Sequence, residues 1–184
     1  MQIIKEIMDK KQLRKKLLKK RIDLDPLDKI QRDSNLYNNL INTEEILSSR
    51  LIITYVSTKI EADTKRLIGW ALRIGKSVGV PITHSDFITF HSINRLDALK
   101  KSSFGILEPE YTEETLITDF DKSVCIVPAL AYNHDGYRLG YGGGYYDRFL
   151  KGYKGFKIGI CYNDFICEIP VDKHDVAVDK IITN

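Results

Sequence analysis

Short apolar runs of the kind that form buried strands alternate with helical segments along most of this chain. The first run is LIITYV (51–56), and the most strongly strand-like is VCIVPALAY (124–132). Strands that are buried on both faces and separated by helices are typical of a layered α/β domain with a largely parallel sheet. The other predicted strands are VGVPIT (78–83), DFITFHSI (86–93), FKIGICY (156–162) and DVAVDKIIT (175–183).

The predicted helix ends carry capping residues. Asp9 followed by Gln12 is a capping-box pattern ahead of an apolar stripe of leucines, Leu13, Leu17 and Leu24. The Asp-Pro pair at 25–26 ends this helix and begins a second, because aspartate accepts free amide hydrogens and proline suits the first helical position. Further helices are expected at 43–49, from Asp63 to a closing Gly75, and at 144–150.

The composition is that of an ordinary globular protein. Of the 184 residues 43% are hydrophobic and 29% charged, and the net charge is only +3. Disorder needs fewer apolar residues and a higher net charge, and a nucleic-acid protein is expected to be strongly basic. No apolar run approaches the roughly 20 residues of a membrane-spanning helix. Three cysteines without CxxC spacing disfavour a disulfide framework and a zinc site. We expect a single cytoplasmic domain over residues 1–184 that binds neither nucleic acid nor membrane.

Positive charge is concentrated at the N-terminus. Residues 1–21 hold nine basic side chains, including Lys5, against two acidic ones. Such a run is usually a solvated helix face, and the alternative is an anion site for a nucleotide phosphate or a nucleic-acid backbone. From this segment alone the solvated face is favoured.

A glycine-rich loop lies between Arg138 and Arg148. Four of the five residues 140–144 are glycine, and glycines let backbone amides approach a ligand closely. A helix that starts after the loop would point its free N–H groups at the same place. The two arginines add positive charge, and Asp147 is placed to hold a divalent metal on phosphates. A surface turn capped by Asp147 is the alternative, which we disfavour because so many such residues converge here.

Familiar nucleotide-binding and catalytic patterns are excluded. A P-loop at 70–77 fails because Trp70 stands where the first glycine is needed. The dinucleotide pattern GxGxxG fails because its third glycine position falls on Tyr145 or Asp147. The metalloprotease pattern HExxH does not occur in the chain.

The stretch VPALAYNHDGYRLGYGGGYYDRFL (127–150) resembles the signature of the 5-formyltetrahydrofolate cyclo-ligase family. Two departures precede the loop: Ala129 where glycine is common, and Asn133 where an acid is common. Weaker matches follow in the family's order at KKQLRKKL (10–17), STKIEADT (57–64), GILEP (105–109) and PVDKHDVAVDKIIT (170–183). The resemblance therefore spans essentially the whole chain.

This resemblance implies a fold and an activity. The fold is an α/β three-layer sandwich shared with sugar-phosphate isomerases and CoA transferases. The activity is conversion of 5-formyltetrahydrofolate to 5,10-methenyltetrahydrofolate, using ATP and Mg²⁺ and releasing ADP and phosphate. The formyl oxygen attacks the γ-phosphate, and nitrogen 10 then closes the ring. The resemblance implies that the partners are small-molecule substrates and that the protein is a monomer.

The resemblance also assigns ATP binding to two stretches. Lys10 and Arg14 match charged positions of the N-terminal motif, and their i, i+4 spacing puts them on one helix face. Lys11, taken alone, still fits the solvated face. The full ATP-binding set is Lys10, Lys11, Gln12, Leu13, Arg14, Arg138, Leu139, Gly140, Tyr141, Gly142, Gly143, Gly144, Tyr145 and Tyr146.

By the same resemblance, Glu61 faces the pterin of the substrate. A carboxylate can pair with two N–H donors of the amino-pyrimidine ring, which discriminates strongly. Taken alone, Glu61 is also an ordinary acid before a helix. The full substrate-binding set is Val56, Glu61, Tyr141, Gly142, Gly143, Gly144 and Tyr145.

Metal and catalytic roles complete the implied site. Asp147 matches a magnesium ligand, and Asp175 matches a second acid near the metal, although a cap at a strand start explains Asp175 nearly as well. Arg138, Tyr145 and Asp147 form the catalytic set. Glu108 is left without a firm role.

Two other functions stay open. A paralogue could keep the nucleotide loop and act on another substrate, but the matches at Val56 and Glu61 argue against it. A nucleic-acid-binding protein could use the basic first helix, with strongly salt-dependent binding; nothing in the glycine loop is needed for that.

Overall fold

The computed structural model describes residues 8–102 and 105–184, so Lys5 of the basic segment lies outside the described residues. The helices are α1 (Lys10–Ile22), α2 (Pro26–Ile41), α3 (Glu44–Ser48), α4 (Lys65–Arg73) and α5 (Tyr145–Leu150), with 3-10 turns at Leu96–Ala98, Glu113–Thr115 and Asn163–Phe165. The strands are β1 (Leu51–Thr54), β2 (Ser77–Thr83), β3 (Ile88–Ile93), β4 (Lys100–Lys101), β5 (Leu107–Glu108), β6 (Ser123–Val127), β7 (Ala131–Tyr132), β8 (Arg138–Leu139), β9 (Phe156–Ile160) and β10 (Lys180–Ile182).

The central sheet is mostly parallel, as predicted. Its six strands are in the order β10-β9-β6-β1-β2-β3. Of its five pairings in the described part of the chain, four are parallel, and β2 with β3 is antiparallel. The fold is thus mixed α/β. Two short antiparallel pairs, β4 with β5 and β7 with β8, lie outside this sheet.

The connections cross the sheet in opposite directions. From β1 the chain passes through α4 to β2, and from β6 it passes through α5 to β9, on the other side of the β1–β6 pair. Parallel crossovers are right-handed, so α4 and α5 cover opposite faces. The loops that leave β1 and β6 therefore diverge, and a ligand crevice is expected at the carboxyl ends of these two strands.

The predicted helix caps are confirmed. Asp9 Oδ1 accepts a hydrogen bond from the Gln12 amide at 2.7 Å, and the Gln12 side chain accepts one from the Asp9 amide at 3.3 Å. Asp25 Oδ1 accepts from the next two free amides of α2, at 2.9 and 3.0 Å. Gly75, at φ +79°, follows the end of α4 as predicted.

Two strand predictions were wrong by more than two residues, while those at 51–56, 86–93 and 156–162 were each two residues too long. The run 124–132 is not one strand, because β6 ends before Pro128, which has no amide hydrogen to donate. The chain then bends, and residues 131–132 pair with β8. In the run 175–183 only Lys180–Ile182 is a strand, because the Val178 amide bonds to Gly136 instead of to the sheet.

The buried hydrophobic side chains of the described residues form one cluster around the sheet. All five residues of β6 are buried, as the apolar run predicted. Cys125, Cys161 and Cys167 are free thiols, in agreement with the prediction of no disulfide framework. Among the helices that the structure describes, none combines the length and apolarity needed to span a bilayer.

Candidate active site

A cavity of about 560 Å³ lies at the crevice that the topology predicts. Tyr55 and Val56, which follow β1, form part of its wall, together with Pro128, which follows β6. Thr83, at the end of β2, lies on the same wall. The carboxyl ends of three parallel strands thus surround the cavity, which is where open α/β sheets bind ligands.

Helix α1 brings two cations to this cavity. Lys10 and Arg14 line it, while Leu13 and Leu17 are buried in the core. Arg14 Nε donates to the Gly140 carbonyl at 2.9 Å. The helix therefore packs through its leucines and is fixed to the glycine-rich loop through Arg14.

The glycine-rich loop forms one side of the cavity. Residues 140–147 all line it. Gly142 has φ +111° and Gly144 φ +66°, which are conformations that side-chain-bearing residues rarely adopt. The loop therefore requires glycine at these two positions, and its backbone is open to a ligand.

Arg138 and Asp147 form a largely buried ion pair beside this loop. Arg138 Nη2 lies 2.7 Å from Asp147 Oδ1, and the arginine side chain is only 4% exposed. Arg138 Nη1 also donates to the Val176 carbonyl, and the Val176 amide donates to the same Asp147 oxygen at 3.3 Å. In the described part of the chain these donors reach only Oδ1, so the second oxygen of Asp147 is available to a ligand in the cavity.

Two acidic side chains near the C-terminus contact Lys10. Lys10 Nζ lies 2.7 Å from Asp172 Oδ2 and 2.6 Å from Asp175 Oδ2. One ligand atom each from Asp172, His174 and Asp175 lie within 4.8 Å of one another, a spacing that suits a cation. Asp172 lies within the matched stretch 170–183, but the sequence analysis gave it no role, because its distant partner Lys10 is not visible in the sequence.

The ion pairs shift the pKa values of this group. Partial burial lowers the pKa of Lys10, but the hydrogen bonds and charges of Asp172 and Asp175 outweigh it and leave the pKa raised. Burial raises the pKa of Asp175, but hydrogen bonds from the Asp172 backbone and from Lys10 outweigh it and leave the pKa lowered. Both groups are therefore charged at neutral pH.

Glu61 also lines the cavity. Its Oε2 accepts from the Thr58 amide at 2.8 Å, and Val56 nearby is buried. Burial, and then the negative charge of Glu61, raise the pKa of Tyr141 in the glycine-rich loop. Tyr55 Oη donates to the Ala62 carbonyl at 2.9 Å, which helps hold the loop that carries Glu61.

Most of the predicted site residues meet in this one cavity. Those that line it are Lys10, Arg14, Val56, Glu61, Arg138, Gly140, Tyr141, Gly142, Gly143, Gly144, Tyr145, Tyr146, Asp147 and Asp175. Lys11 and Gln12 are exposed on the outside of α1, and Gln12 completes the capping box. Leu13 and Leu139 are core residues. The structure therefore does not bring these four side chains to the cavity.

Sequence reasoning also missed the apolar part of the wall. Ile60, Pro81, Ile88 and Ile106 come from separate segments and meet only in the folded chain. No local pattern distinguishes them from other core residues. Glu108 has a structural contact: its Oε1 accepts from the Thr83 amide at 3.0 Å.

Comparison with known proteins identifies the family. A model described as the 5-formyltetrahydrofolate cyclo-ligase family matches residues 6–184. A mouse (Mus musculus) protein named 5-formyltetrahydrofolate cyclo-ligase is 28% identical, over 94% of this chain and 92% of its own length.

Two solved structures agree with this match. A 5,10-methenyltetrahydrofolate synthetase from Aquifex aeolicus aligns with a TM-score of 0.83 and 32% identity, covering 96% of this chain and 90% of that chain. One from Mycoplasma pneumoniae aligns with a TM-score of 0.73 and 26% identity, covering 96% and 99%. The chain belongs to the 5-formyltetrahydrofolate cyclo-ligase family.

Proposed function

We propose that this protein catalyses the ATP-dependent conversion of 5-formyltetrahydrofolate to 5,10-methenyltetrahydrofolate, with release of ADP and phosphate. One observation carries the proposal. A single cavity is lined both by groups suited to a nucleoside triphosphate and by the residues that the family resemblance assigns to folate. The mouse relative is named after the substrate of this reaction, and the Aquifex aeolicus protein is named after its product.

The triphosphate is assigned to the end of the cavity formed by α1 and the glycine-rich loop. Lys10, Arg14 and Arg138 supply positive charge there, and the glycines expose backbone amides. Phosphoryl transfer depends chiefly on alignment and on stabilisation of charge. This end of the cavity supplies both.

Asp147 and Asp175 fit a magnesium ion, because both are carboxylates on the cavity wall and oxygen is the ligand that Mg²⁺ prefers. One oxygen of Asp147 is not used by the described donors, and Asp172 and His174 lie beside Asp175. These carboxylates would hold Mg²⁺, which would supply positive charge to offset that of the ATP phosphates. Arg138 would hold Asp147 in position through their ion pair.

Folate is assigned to the end of the cavity that holds Glu61 and the apolar wall. The Glu61 carboxylate would accept from the amino-pyrimidine N–H groups, and Val56 and Ile60 would contact the ring system. This orientation directs the formyl oxygen towards the γ-phosphate. An O–P bond forms as the bond to ADP breaks; nitrogen 10 then attacks the formyl carbon, phosphate leaves and the nitrogen loses its proton.

A spectrophotometric assay tests the proposal. Purified protein is mixed with 5-formyltetrahydrofolate, Mg²⁺ and ATP, and the near-ultraviolet band of the methenyl product is followed. We expect a rise that requires ATP and that is lost in Asp147→Asn. A flat trace from folded protein that still binds ATP would contradict the proposal and favour a paralogue with another substrate.

Further expectations remain part of this proposal. They are a fold like that of sugar-phosphate isomerases and CoA transferases, a single domain, a monomer, a cytoplasmic location and no binding of nucleic acid. The continuous core of the described residues supports the single domain. The free thiols are consistent with a reducing compartment.

A further inference from the structure

Arg21 is a buried cation near the end of α1. It is only 2% exposed. In the described part of the chain its guanidinium is held by backbone carbonyl oxygens and not by a carboxylate. Burial of a cation is unfavourable unless its donors are satisfied, so this side chain is a poor choice for filling core space alone.

The guanidinium joins two separate loops. Its Nη1 donates to the Ile60 carbonyl at 3.1 Å, and its Nη2 donates to the carbonyls of Ala129 and Leu130 at 2.9 and 3.0 Å. The planar guanidinium fixes the directions of these bonds. The Cζ atom of Arg21 lies 4.7 Å from the ring centroid of Phe165, and this contact restricts the guanidinium further.

These loops form the two sides of the crevice. Ile60 lies in the loop after β1 and Pro128, which precedes Ala129, lies in the loop after β6; both line the cavity. The Ile60 carbonyl and the Glu61 amide belong to one planar peptide unit. A bond to that carbonyl therefore orients the backbone of Glu61, whose side chain is fixed by the Thr58 amide at 2.8 Å.

Arg21 also lies on the same face of α1 as the phosphate-end cations. The spacing from Lys10 to Arg14 and on to Arg21 is four and then seven residues, which keeps all three on one side of the helix. Lys10 and Arg21 are separated by about 16 Å along the helix axis. One helix thus carries both the cations that line the cavity and the guanidinium that holds the loop of Ile60.

We propose that Arg21 is a positioning residue for the folate end of the site. It holds the loop that carries Glu61 at a fixed distance from the loop after β6, and so sets the geometry in which the pterin is bound. This inference rests on the proposed function. It is distinct from a contact to ATP or to folate, since Arg21 does not line the cavity.

Steady-state kinetics of two variants tests the role. We expect Arg21→Met to raise KM for 5-formyltetrahydrofolate about tenfold or more, while KM for ATP changes less than about twofold. Arg21→Lys keeps a cation, but one that can reach fewer carbonyls, so its affinity for 5-formyltetrahydrofolate should lie between those of Arg21→Met and the wild type. This variant also replaces Arg21→Met in the test if the Met variant does not fold. Leu17→Ala, on the buried face of the same helix, is the matched control for a loss of stability alone.

Hydrogen exchange gives a readout that does not require turnover. Amides of residues 57–64 should exchange faster in Arg21→Lys than in the wild type, with no such change in Leu17→Ala. Equal increases of both KM values, or the same folate effect in Leu17→Ala, would overturn the positioning role. If the wild type shows no turnover, the proposed function fails, and the exchange data alone decide whether Arg21 holds the loop.

Discussion

Lys10 and Asp175 are 165 positions apart in the sequence, yet Lys10 Nζ lies 2.6 Å from Asp175 Oδ2. The family resemblance assigns Lys10 to the phosphates of ATP and Asp175 to the metal. In this structure the two groups are bonded to each other. Under the proposed function, MgATP would compete with this ion pair for both groups.

Lys10 should be specific to the nucleotide. We expect Lys10→Met to raise KM for ATP about 10- to 100-fold, because a hydrogen bond to a charged group contributes about 1.5–3 kcal/mol. KM for 5-formyltetrahydrofolate should stay within about twofold. Kinetics with each substrate varied in turn would measure both. Lys11→Met is the matched control, since Lys11 is exposed and away from the cavity; an equal effect there would mean that the overall charge of α1 attracts ATP.

Asp147 should be required for turnover through the metal. Asp147→Asn keeps an oxygen for Arg138 Nη2 but is a weaker ligand, so we expect a loss of at least about 100-fold in kcat/KM at fixed Mg²⁺. Asp147→Ala is less informative. It leaves the buried guanidinium of Arg138 without its carboxylate and should lower the free energy of unfolding by about 1–3 kcal/mol. If the Mg²⁺ titration curve of Asp147→Asn overlaid that of the wild type, Asp147 would not be a ligand of the metal.

Local patterns were sufficient to predict much of the fold. The capping box at Asp9 and the Asp-Pro pair at 25–26 depend on neighbours within four residues, and both are confirmed. The strand ends were predicted less well. Pro128 lies inside an apolar run that looks continuous, and because it lacks an amide hydrogen β6 ends before it and β7 begins three residues later.

The site was predictable only where its residues form a motif. The glycine-rich loop is contiguous and is brought to the cavity as a whole. Asp172 and Ile106 reach the same cavity from distant segments; both lie in stretches that match the family, yet neither match assigned them a role. Leu13 and Leu139, which the resemblance assigns to ATP, have side chains in the core, because a match to a motif covers consecutive residues while the fold turns some of them inward. Their contact with ATP stays a prediction.

Replacing single glycines should distinguish positions needed for stability of the fold from positions needed for ligand binding. A Cβ at Gly140 would meet no atom within 4 Å, so Gly140→Ala should leave the melting temperature unchanged. If phosphates approach the backbone here, KM for ATP should still rise severalfold. At Gly136 the φ is +86° and a Cβ would lie 2.6 Å from the Val178 carbonyl oxygen. Gly136→Ala should therefore lower the free energy of unfolding by about 1–3 kcal/mol. An unchanged KM for ATP in Gly140→Ala would exclude close approach of the ligand at that residue.

Glu61 should determine recognition of the pterin. We expect Glu61→Gln to raise KM for 5-formyltetrahydrofolate about 10- to 100-fold, because an amide cannot accept from two N–H donors as a carboxylate does. The Gln side chain retains an oxygen for the Thr58 amide, so the loop should stay folded. KM for ATP serves as the internal control. A comparable rise in KM for ATP would show that the substitution disturbs the whole cavity.

The stability of the fold should decrease below pH 6.5 because of His91. This side chain is fully buried between Thr89 and Thr115, each at 3.0 Å from a ring nitrogen. Burial, and then the positive charge of His84, lower the pKa of His91 from its ordinary value of 6.5. The unfolded chain therefore binds a proton more readily than the folded chain as the pH falls below 6.5, and the free energy of unfolding falls with it, by at most about 1.4 kcal/mol per pH unit.

Urea unfolding at pH 7.5 and at pH 5 would measure this effect in the wild type and in His91→Asn. The variant should be less stable at pH 7.5 and should lose less stability on acidification. The Lys10–Asp175 pair does not interfere in this range. The pKa of Asp175 is lowered from 3.8, so its stabilisation is lost only at more acidic pH, and that of Lys10 is raised from 10.5, so its stabilisation is lost only at alkaline pH. Equal losses in the two proteins would show that other groups cause the acid sensitivity.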